Sequence, residues 1–356
     1  MISSEPNSNQ LWRLADASLN RMAEGLRYLE DVCRFVLNDI ALNQRLKNIR
    51  HEMVISGWEF QKLLVEARDT ADDVGTDLEA DTNRESSRDL LSAVVANSRR
   101  VQEALRSLEE TSKIIQLAPD LTYQKIQQSR FDVYTIEKDI IGKLTRQDKM
   151  KQMRGLYVVI DTQALKSRSH LQVTRQVIKG GAKVIQLRDK TMDRGPLFII
   201  ASEMKTLCAQ HGVLFIINDF VDIALAVKAD GVHLGQSDIP VSVARKILPI
   251  DMLIGCSVTS VKMAKQAQLD GADYIAVSGI YPTNSKNDVK PLGTGLIKRV
   301  KKTVNMPLVG IGGIKLKHVA ELKKNGVDAI AVISAVLGAR SPETAARQLS
   351  RIFEEQ

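Results

Sequence analysis

From Gly155 to the C-terminus, short β-branched runs alternate with helical stretches, and no other feature restricts the possible folds as strongly. The runs occupy 156–160, 184–187, 214–217, 231–234, 253–255, 274–277, 308–311 and 329–333, and a last helix is expected over 342–353. Strand–helix repeats imply parallel strands, because a parallel pair needs a crossover long enough to hold a helix. Eight such units in the 202 residues of 155–356 fit a closed (β/α)8 TIM barrel better than an open sheet. No G-x-G-x-x-G follows the first run, which argues against a doubly wound dinucleotide fold.

Residues 1–145 have a different grammar. Apolar residues recur every three or four positions through 11–37, 42–67, 90–117 and 121–141, predicting an all-α helical bundle. The segment also repeats itself. The run from Arg21 to Asp31 recurs from Arg100 to Glu110, with Glu24, Leu26, Arg27, Leu29 and Glu30 matched by Glu103, Leu105, Arg106, Leu108 and Glu109. A weaker echo pairs Arg50-His51-Glu52 with Arg130-Phe131-Asp132. A duplicated helical hairpin is the simplest account. Its Arg/Glu ridge reads either as a solvated salt-bridge ladder or as a paired site for a phosphorylated ligand. Residues 146–154 are expected to be a basic, loop-like linker, giving domains of 1–145 and 155–356.

Composition removes several function classes. The 356 residues are 44% hydrophobic with no membrane-length apolar run, so no membrane association is expected. The N-terminus lacks a signal-peptide pattern, which predicts a cytoplasmic protein. Cys33, Cys208 and Cys256 match no metal or redox spacing and read as buried thiols. The net charge of +8 is spread along amphipathic helices, few aromatics accompany it, and nucleic acid is not an expected partner. Small anionic substrates explain such a charge as well. A homo-oligomer is left open.

Barrel chemistry resides where strands run into βα loops. Gly312-Gly313 after the seventh run and Ile333-Ser334 after the eighth would offer backbone N–H donors, the recurrent phosphate site of this fold. Asp219 and Asp238, at the ends of adjacent strands, can share one hard cation, for which Mg2+ with substrate phosphate oxygens is the expected occupant. Arg188, Lys190 and Lys286 bring three positive charges to the same mouth, which with Mg2+ calls for a polyanion such as a diphosphate. A monophosphate pocket beside a diphosphate pocket suggests a transferase that releases pyrophosphate. His233, on an apolar run, reads as a satisfied core histidine rather than a base.

Taken together, the junctions Gln186-Leu-Arg-Asp-Lys190, Asn218-Asp219, Asp230–Asp238, Gly255-Cys-Ser257, Tyr281–Lys286, Gly310–Ile314 and Ile333-Ser334 resemble thiamine-phosphate synthase over the whole of 155–353. The resemblance implies that Arg188, Lys190, Asn218 and Lys286 hold the diphosphate of an aminopyrimidine. It implies that Gln186 and Ser257 place the pyrimidine, with Ser257 also touching the leaving group, and that Asp219 and Asp238 ligate Mg2+. Thr283, Ser285, Gly313, Ile333 and Ser334 would seat a thiazole phosphate. Ser285 stands where the family usually has Thr, and Asp189 where Glu is commoner. Arg188, Lys190, Ser257 and Lys286 would be the catalytic set, acting on charge at the departing pyrophosphate.

Three other functions compete: a thiazole tautomerase, a non-catalytic sensor of thiamine intermediates, and a generic phosphate-binding barrel. The first two need no complete diphosphate–Mg2+ constellation, and the third leaves the 283–286 loop and the paired Asp residues unexplained. The N-terminal half resembles a helical extension fused to some bacterial thiamine-phosphate synthases. Two roles are weighed for it, phosphorylation of the pyrimidine monophosphate and a purely structural one. No P-loop is present.

Overall fold

A computed structural model describes residues 8–54, 57–68, 89–282 and 291–355. It divides into two units, residues 1–144 and 145–356.

The first unit is helical. Its elements are α1 (Ser8–Asp31), which widens into a π-turn at Val32–Val36, α2 (Ile40–Met53), α3 (Trp58–Glu66), α4 (Leu90–Ser112) and the greater part of α5 (Tyr123–Gln152). Asp39 and Asp89 cap α2 and α4, accepting from Leu42 N and Ser92 N. The apolar stripe of each helix meets the others in one core that includes Met22, Leu26, Leu46, Leu105 and Ile136. The stretch 42–67, expected as one helix, is broken: Val54 and Gly57 are both extended. The apolar spacing runs on across that break, so periodicity alone does not reveal it.

The repeat has a structural counterpart. Glu30 on α1 takes a two-pronged ion pair from Arg50 on α2, with Nε–Oε1 at 2.7 Å and Nη2–Oε2 at 3.2 Å. Glu109 on α4 takes the equivalent pair from Arg130 on α5, at 2.5 Å and 3.3 Å. The matched residues of the two copies therefore make matched bonds. Glu109 is wholly buried, which a solvated ladder would not require. Bidentate Arg–carboxylate geometry fixes orientation as well as proximity, so these pairs set how each hairpin closes.

In the second unit the expected loop-like linker is instead helical, because α5 continues to Gln152. Its basic residues hid a stripe at helical spacing: Arg146, Met150 and Met153. Met153 and Arg146 are buried. Met150 and Met153 pack against the side chains inside the barrel, and Arg146 donates to Asp273 at 2.7 Å. Arg245 and the amide of Ile254 donate to the same buried carboxylate.

The barrel itself is closed, with strands in the order β1 to β8 and every pair parallel. The strands are β1 (Gly155–Asp161), β2 (Ala182–Arg188), β3 (Leu214–Asn218), β4 (Gly231–Leu234), β5 (Leu253–Val258), β6 (Tyr274–Val277), β7 (Leu308–Ile311) and β8 (Ala329–Val332). Helices α6 (Thr162–Leu165), α7 (His170–Lys179), α8 (Arg194–Gln210), α9 (Val221–Ala226), α10 (Val241–Ile247), α11 (Val261–Leu269), α12 (Gly295–Lys301), α13 (Val319–Lys324), α14 (Ser334–Leu337) and α15 (Pro342–Glu354) connect and cover them.

Alternation along each strand sorts the side chains. Leu156, Val158 and Ile160 face the helices, while Tyr157 and Val159 face inward with Val184, Ile216, Tyr274 and Ala331. Gly255 makes this interior possible. A Cβ there would lie 2.1 Å from the Tyr274 ring, so only glycine lets that ring cross the barrel.

Candidate active site

The inward alternation continues to the C-terminal strand ends, where polar groups replace aliphatic ones. Register places Val159 beside Gln186 and Asp161 beside Arg188, so the Asp161 carboxylate pairs with the Arg188 guanidinium. Asp161 also caps α6 through the amide of Ala164, at 3.0 Å. It was not foreseen from the sequence, although its place opposite Arg188 follows once β1 and β2 are aligned.

A cavity of about 200 Å³ opens at this end. Of the expected residues, Gln186, Arg188, Asn218, Ser257, Gly313, Ile333 and Ser334 line it. Lys190, Asp219 and Asp238 form a charged cluster beside this group: Asn218 precedes Asp219 in the chain, and the charge of Arg188 acts on Asp219. Thr283, Ser285 and Lys286 lie outside the described residues.

In the charged cluster, Asp219 has φ +65°, a left-handed conformation that a β-carboxylate tolerates. Its amide donates to the carbonyl of His233 at 2.9 Å, which ties the end of β3 to β4. Burial, then a hydrogen bond with Asp238 and the charge of that neighbour, push the Asp219 carboxyl up to about 6. The charges of Lys190 and Arg188 oppose the shift, with Lys190 Nζ 3.7 Å from Asp219 Oδ2. Asp238 in turn accepts from the amide of Gly235 at 2.6 Å. A carboxylate whose proton affinity is raised by a second carboxylate beside it forms, with that neighbour, a site that gains from a cation.

On the other side of the cavity, Gly313 turns the chain after β7 at φ +63°. A Cβ on it would lie 2.3 Å from the carbonyl oxygen of Pro282, so a side chain is excluded by contact as well as by conformation. The neighbouring Gly312 accepts from the amide of Tyr281 at 3.1 Å, binding the start of the β6 loop to this turn. Tyr281 stacks on His318 with ring centroids 3.8 Å apart, and Glu321 accepts from the hydroxyls of Tyr281 and Thr294, which flank that loop. Ser334 begins α14 at the end of β8, so its first amides face the same mouth.

Between the two flanks runs a buried polar chain. Gln186 Nε2 donates to Tyr157 Oη at 2.7 Å, Tyr157 Oη lies 3.2 Å from Tyr274 Oη, and Tyr274 Oη lies 3.1 Å from His233 Nδ1. His233 Nε2 is 2.9 Å from Ser257 Oγ. His233 is thus the satisfied interior histidine the sequence suggested, yet it touches an expected substrate residue. Burial pushes both phenols well up, so they remain hydroxyls. It also pushes the thiol of Cys256, next to Ser257, up to about 11, far from a nucleophilic thiolate. Asp189 serves the backbone instead: its carboxylate accepts from the amides of Thr191 and Met192 at 2.7 Å each, turning the chain towards α8.

A closed parallel barrel with a glycine turn on one side of its C-terminal mouth and a cluster of Lys190, Asp219 and Asp238 on the other has the layout of a (β/α)8 barrel enzyme. A family model described as thiamine monophosphate synthase matches residues 156–336, and a second, the ThiD2 family, matches residues 13–139. The chain is 38% identical to the thiamine-phosphate synthase of Thermosynechococcus vestitus, over 96% of this chain and 95% of that protein. It is 37% identical to the Nostoc sp. enzyme of the same name, over 99% of both. The solved thiamine phosphate pyrophosphorylase from Pyrococcus furiosus is 37% identical and covers 58% of this chain and 98% of its own, with a TM-score of 0.54. The chain belongs to the thiamine-phosphate synthase family.

Proposed function

We propose that the barrel joins an aminopyrimidine carrying a diphosphooxymethyl group to a thiazole phosphate, giving thiamine phosphate and pyrophosphate. The observation that carries this reading is the pairing of a phosphate turn at Gly313 and Ser334, which line the cavity, with a separate Lys190–Asp219–Asp238 cluster beside the cavity-lining Arg188 and Asn218. A tautomerase or a sensor has no use for the second cluster.

The reaction needs no protein nucleophile. The carbon–oxygen bond to pyrophosphate breaks with its electron pair leaving on oxygen, and the electron-rich aminopyrimidine stabilises the cation left behind. The thiazole nitrogen lone pair then forms the new carbon–nitrogen bond. Arg188, Lys190 and Asn218 hold the diphosphate, with Lys286 in the same role. Gln186 and Ser257 orient the pyrimidine, and Gly313, Ile333 and Ser334, with Thr283 and Ser285, seat the thiazole phosphate. Holding the two reactants in contact and neutralising the leaving group are the protein's contribution.

Asp219 and Asp238 fit a Mg2+ ion. They are hard oxygen ligands whose mutual repulsion a cation relieves, and substrate phosphate oxygens would complete its shell. Bound there, the ion supplies positive charge against the departing pyrophosphate. Purified protein given both substrates and Mg2+ should form thiamine phosphate, and EDTA should abolish it. Bound thiazole phosphate without product would refute the assignment. The same assay with the pyrimidine monophosphate and ATP tests a phosphorylating role for the N-terminal unit: product supports that role, and none leaves the unit a packing module.

A pH dependence follows from Asp219. Its carboxyl is raised, so the proton-linked stability of the metal-free protein is full below the ordinary value of 3.8 and is lost as pH rises through about 6. A cation competes with that proton. Mg2+ should therefore bind roughly tenfold more tightly at about pH 7.5 than at about pH 5, as titration calorimetry would read. Equal affinity at both would remove Asp219 from the cation site.

The phosphate turn gives another expected outcome. Gly313→Ala should raise KM for the thiazole phosphate on the order of tenfold, equivalent to ~1.4 kcal/mol, with a smaller effect on the pyrimidine diphosphate. Steady-state kinetics with each substrate varied in turn would check it.

A further inference from the structure

The hydrogen-bond chain from Gln186 to Ser257 has a direction, and that direction links the two ends of the cavity. Each phenol owns one proton, and a neutral imidazole donates from one nitrogen while accepting at the other. Only two arrangements both make every bond of the chain and give every proton a partner. In one, Gln186 N–H donates to Tyr157, Tyr157 to Tyr274 and Tyr274 to His233 Nδ1, which leaves the proton on His233 Nε2 to donate to Ser257 Oγ. In the other, every bond is reversed and Ser257 spends its proton on His233. Any mixed arrangement strands a phenolic proton or leaves a bond unmade in the interior, where Tyr157 and Tyr274 are at most 2% exposed and either is costly.

Gln186 presents its amide nitrogen to Tyr157, which selects the first arrangement. Its two ends then show defined groups to the cavity that Gln186 and Ser257 both line. Gln186 offers its carbonyl oxygen, the acceptor that an amino group on a pyrimidine carbon needs. Ser257, already accepting from His233, keeps its own hydroxyl proton for an anionic oxygen.

We infer that Tyr157, Tyr274 and His233 are positioning residues that pass pyrimidine recognition at Gln186 on to Ser257 as a hydroxyl aimed to donate to the departing diphosphate. The inference rests on the function proposed above. A substrate amino group on Gln186 holds the chain in the productive sense, and a ring lacking that donor would not.

The test is a double-mutant cycle on full-length protein. Tyr274→Phe keeps the ring and removes one link. It should lower kcat by up to about tenfold, the worth of one neutral hydrogen bond, while KM for the pyrimidine diphosphate stays within about twofold. Ser257→Ala removes the end of the chain, so adding Tyr274→Phe to it should change kcat by less than about twofold. Losses that multiply in the double variant, or a Tyr274→Phe loss confined to KM, would overturn the relay. Thermal unfolding identifies a variant that fails to fold, and Tyr157→Phe then runs the same cycle from one link further away. An inactive wild-type protein would refute the proposed function itself, whereas an active one with multiplying losses refutes only the relay.

Discussion

Asp219→Ala should lower turnover on the order of 10²–10³-fold, the cost of losing one preorganised electrostatic contact at the leaving group. Asp219 stands at the end of β3, its amide donating to the carbonyl of His233, with its carboxylate half-enclosed and within reach of both Asp238 and Lys190. Its φ of +65° complicates the alanine variant, because alanine resists that conformation and part of any loss would be structural. Asp219→Asn separates the causes. Asparagine accepts the left-handed backbone and matches the shape, yet it carries no charge for a cation. The expectation is that Asp219→Asn unfolds like the parent protein but turns over nearly as slowly as the alanine variant. Lys190→Ala should lose a similar factor without any backbone penalty. Activity within a few-fold of the parent for both Asp219→Asn and Lys190→Ala would sink the assignment.

The largest stability effect is expected at the opposite end of the strands. Asp273, just before β6, is buried and accepts from Arg146 Nε at 2.7 Å, from Arg245 and from the amide of Ile254 at 2.8 Å. Asp273→Ala leaves the buried Arg146 guanidinium without its counter-charge and should cost about 3–5 kcal/mol, the range for breaking a buried pair from one side. Urea unfolding of the full chain would report it as an earlier transition for the barrel. Turnover per folded molecule should not change, since the pair lies at the N-terminal strand ends. A loss below about 1 kcal/mol would mean that water and the Ile250 carbonyl suffice for the Arg146 guanidinium once the carboxylate is gone.

The barrel was legible because its strands are short apolar runs bracketed by polar turns, and each observed strand contains or nearly coincides with its expected run. The exceptions are physical. Residues 146–154 read as a linker because lysines and arginines crowd them, but helical spacing puts Arg146 and Met150 on one face, and an arginine can be a core residue when a carboxylate awaits it. Within the site, Gln186, Arg188 and Asn218 were readable from their places at strand ends. Tyr157 and Tyr274 were not, since they sit 117 residues apart and meet only because the barrel closes and Gly255 leaves room. The Arg/Glu repeat was visible as a repeat. That Glu30 and Glu109 reach across to Arg50 and Arg130 was not, because periodicity on one helix says nothing about what the next helix brings.

The continuation of α5 into the second unit decides where that unit can be cut free. A gene fragment beginning at the first strand, Gly155, would discard Arg146, Met150 and Met153. It would leave Asp273 without one of its counter-charges and the inner end of the barrel uncovered. As a portable cassette for transplantation or circular permutation, the catalytic half begins at Thr145, ten residues upstream of its first strand.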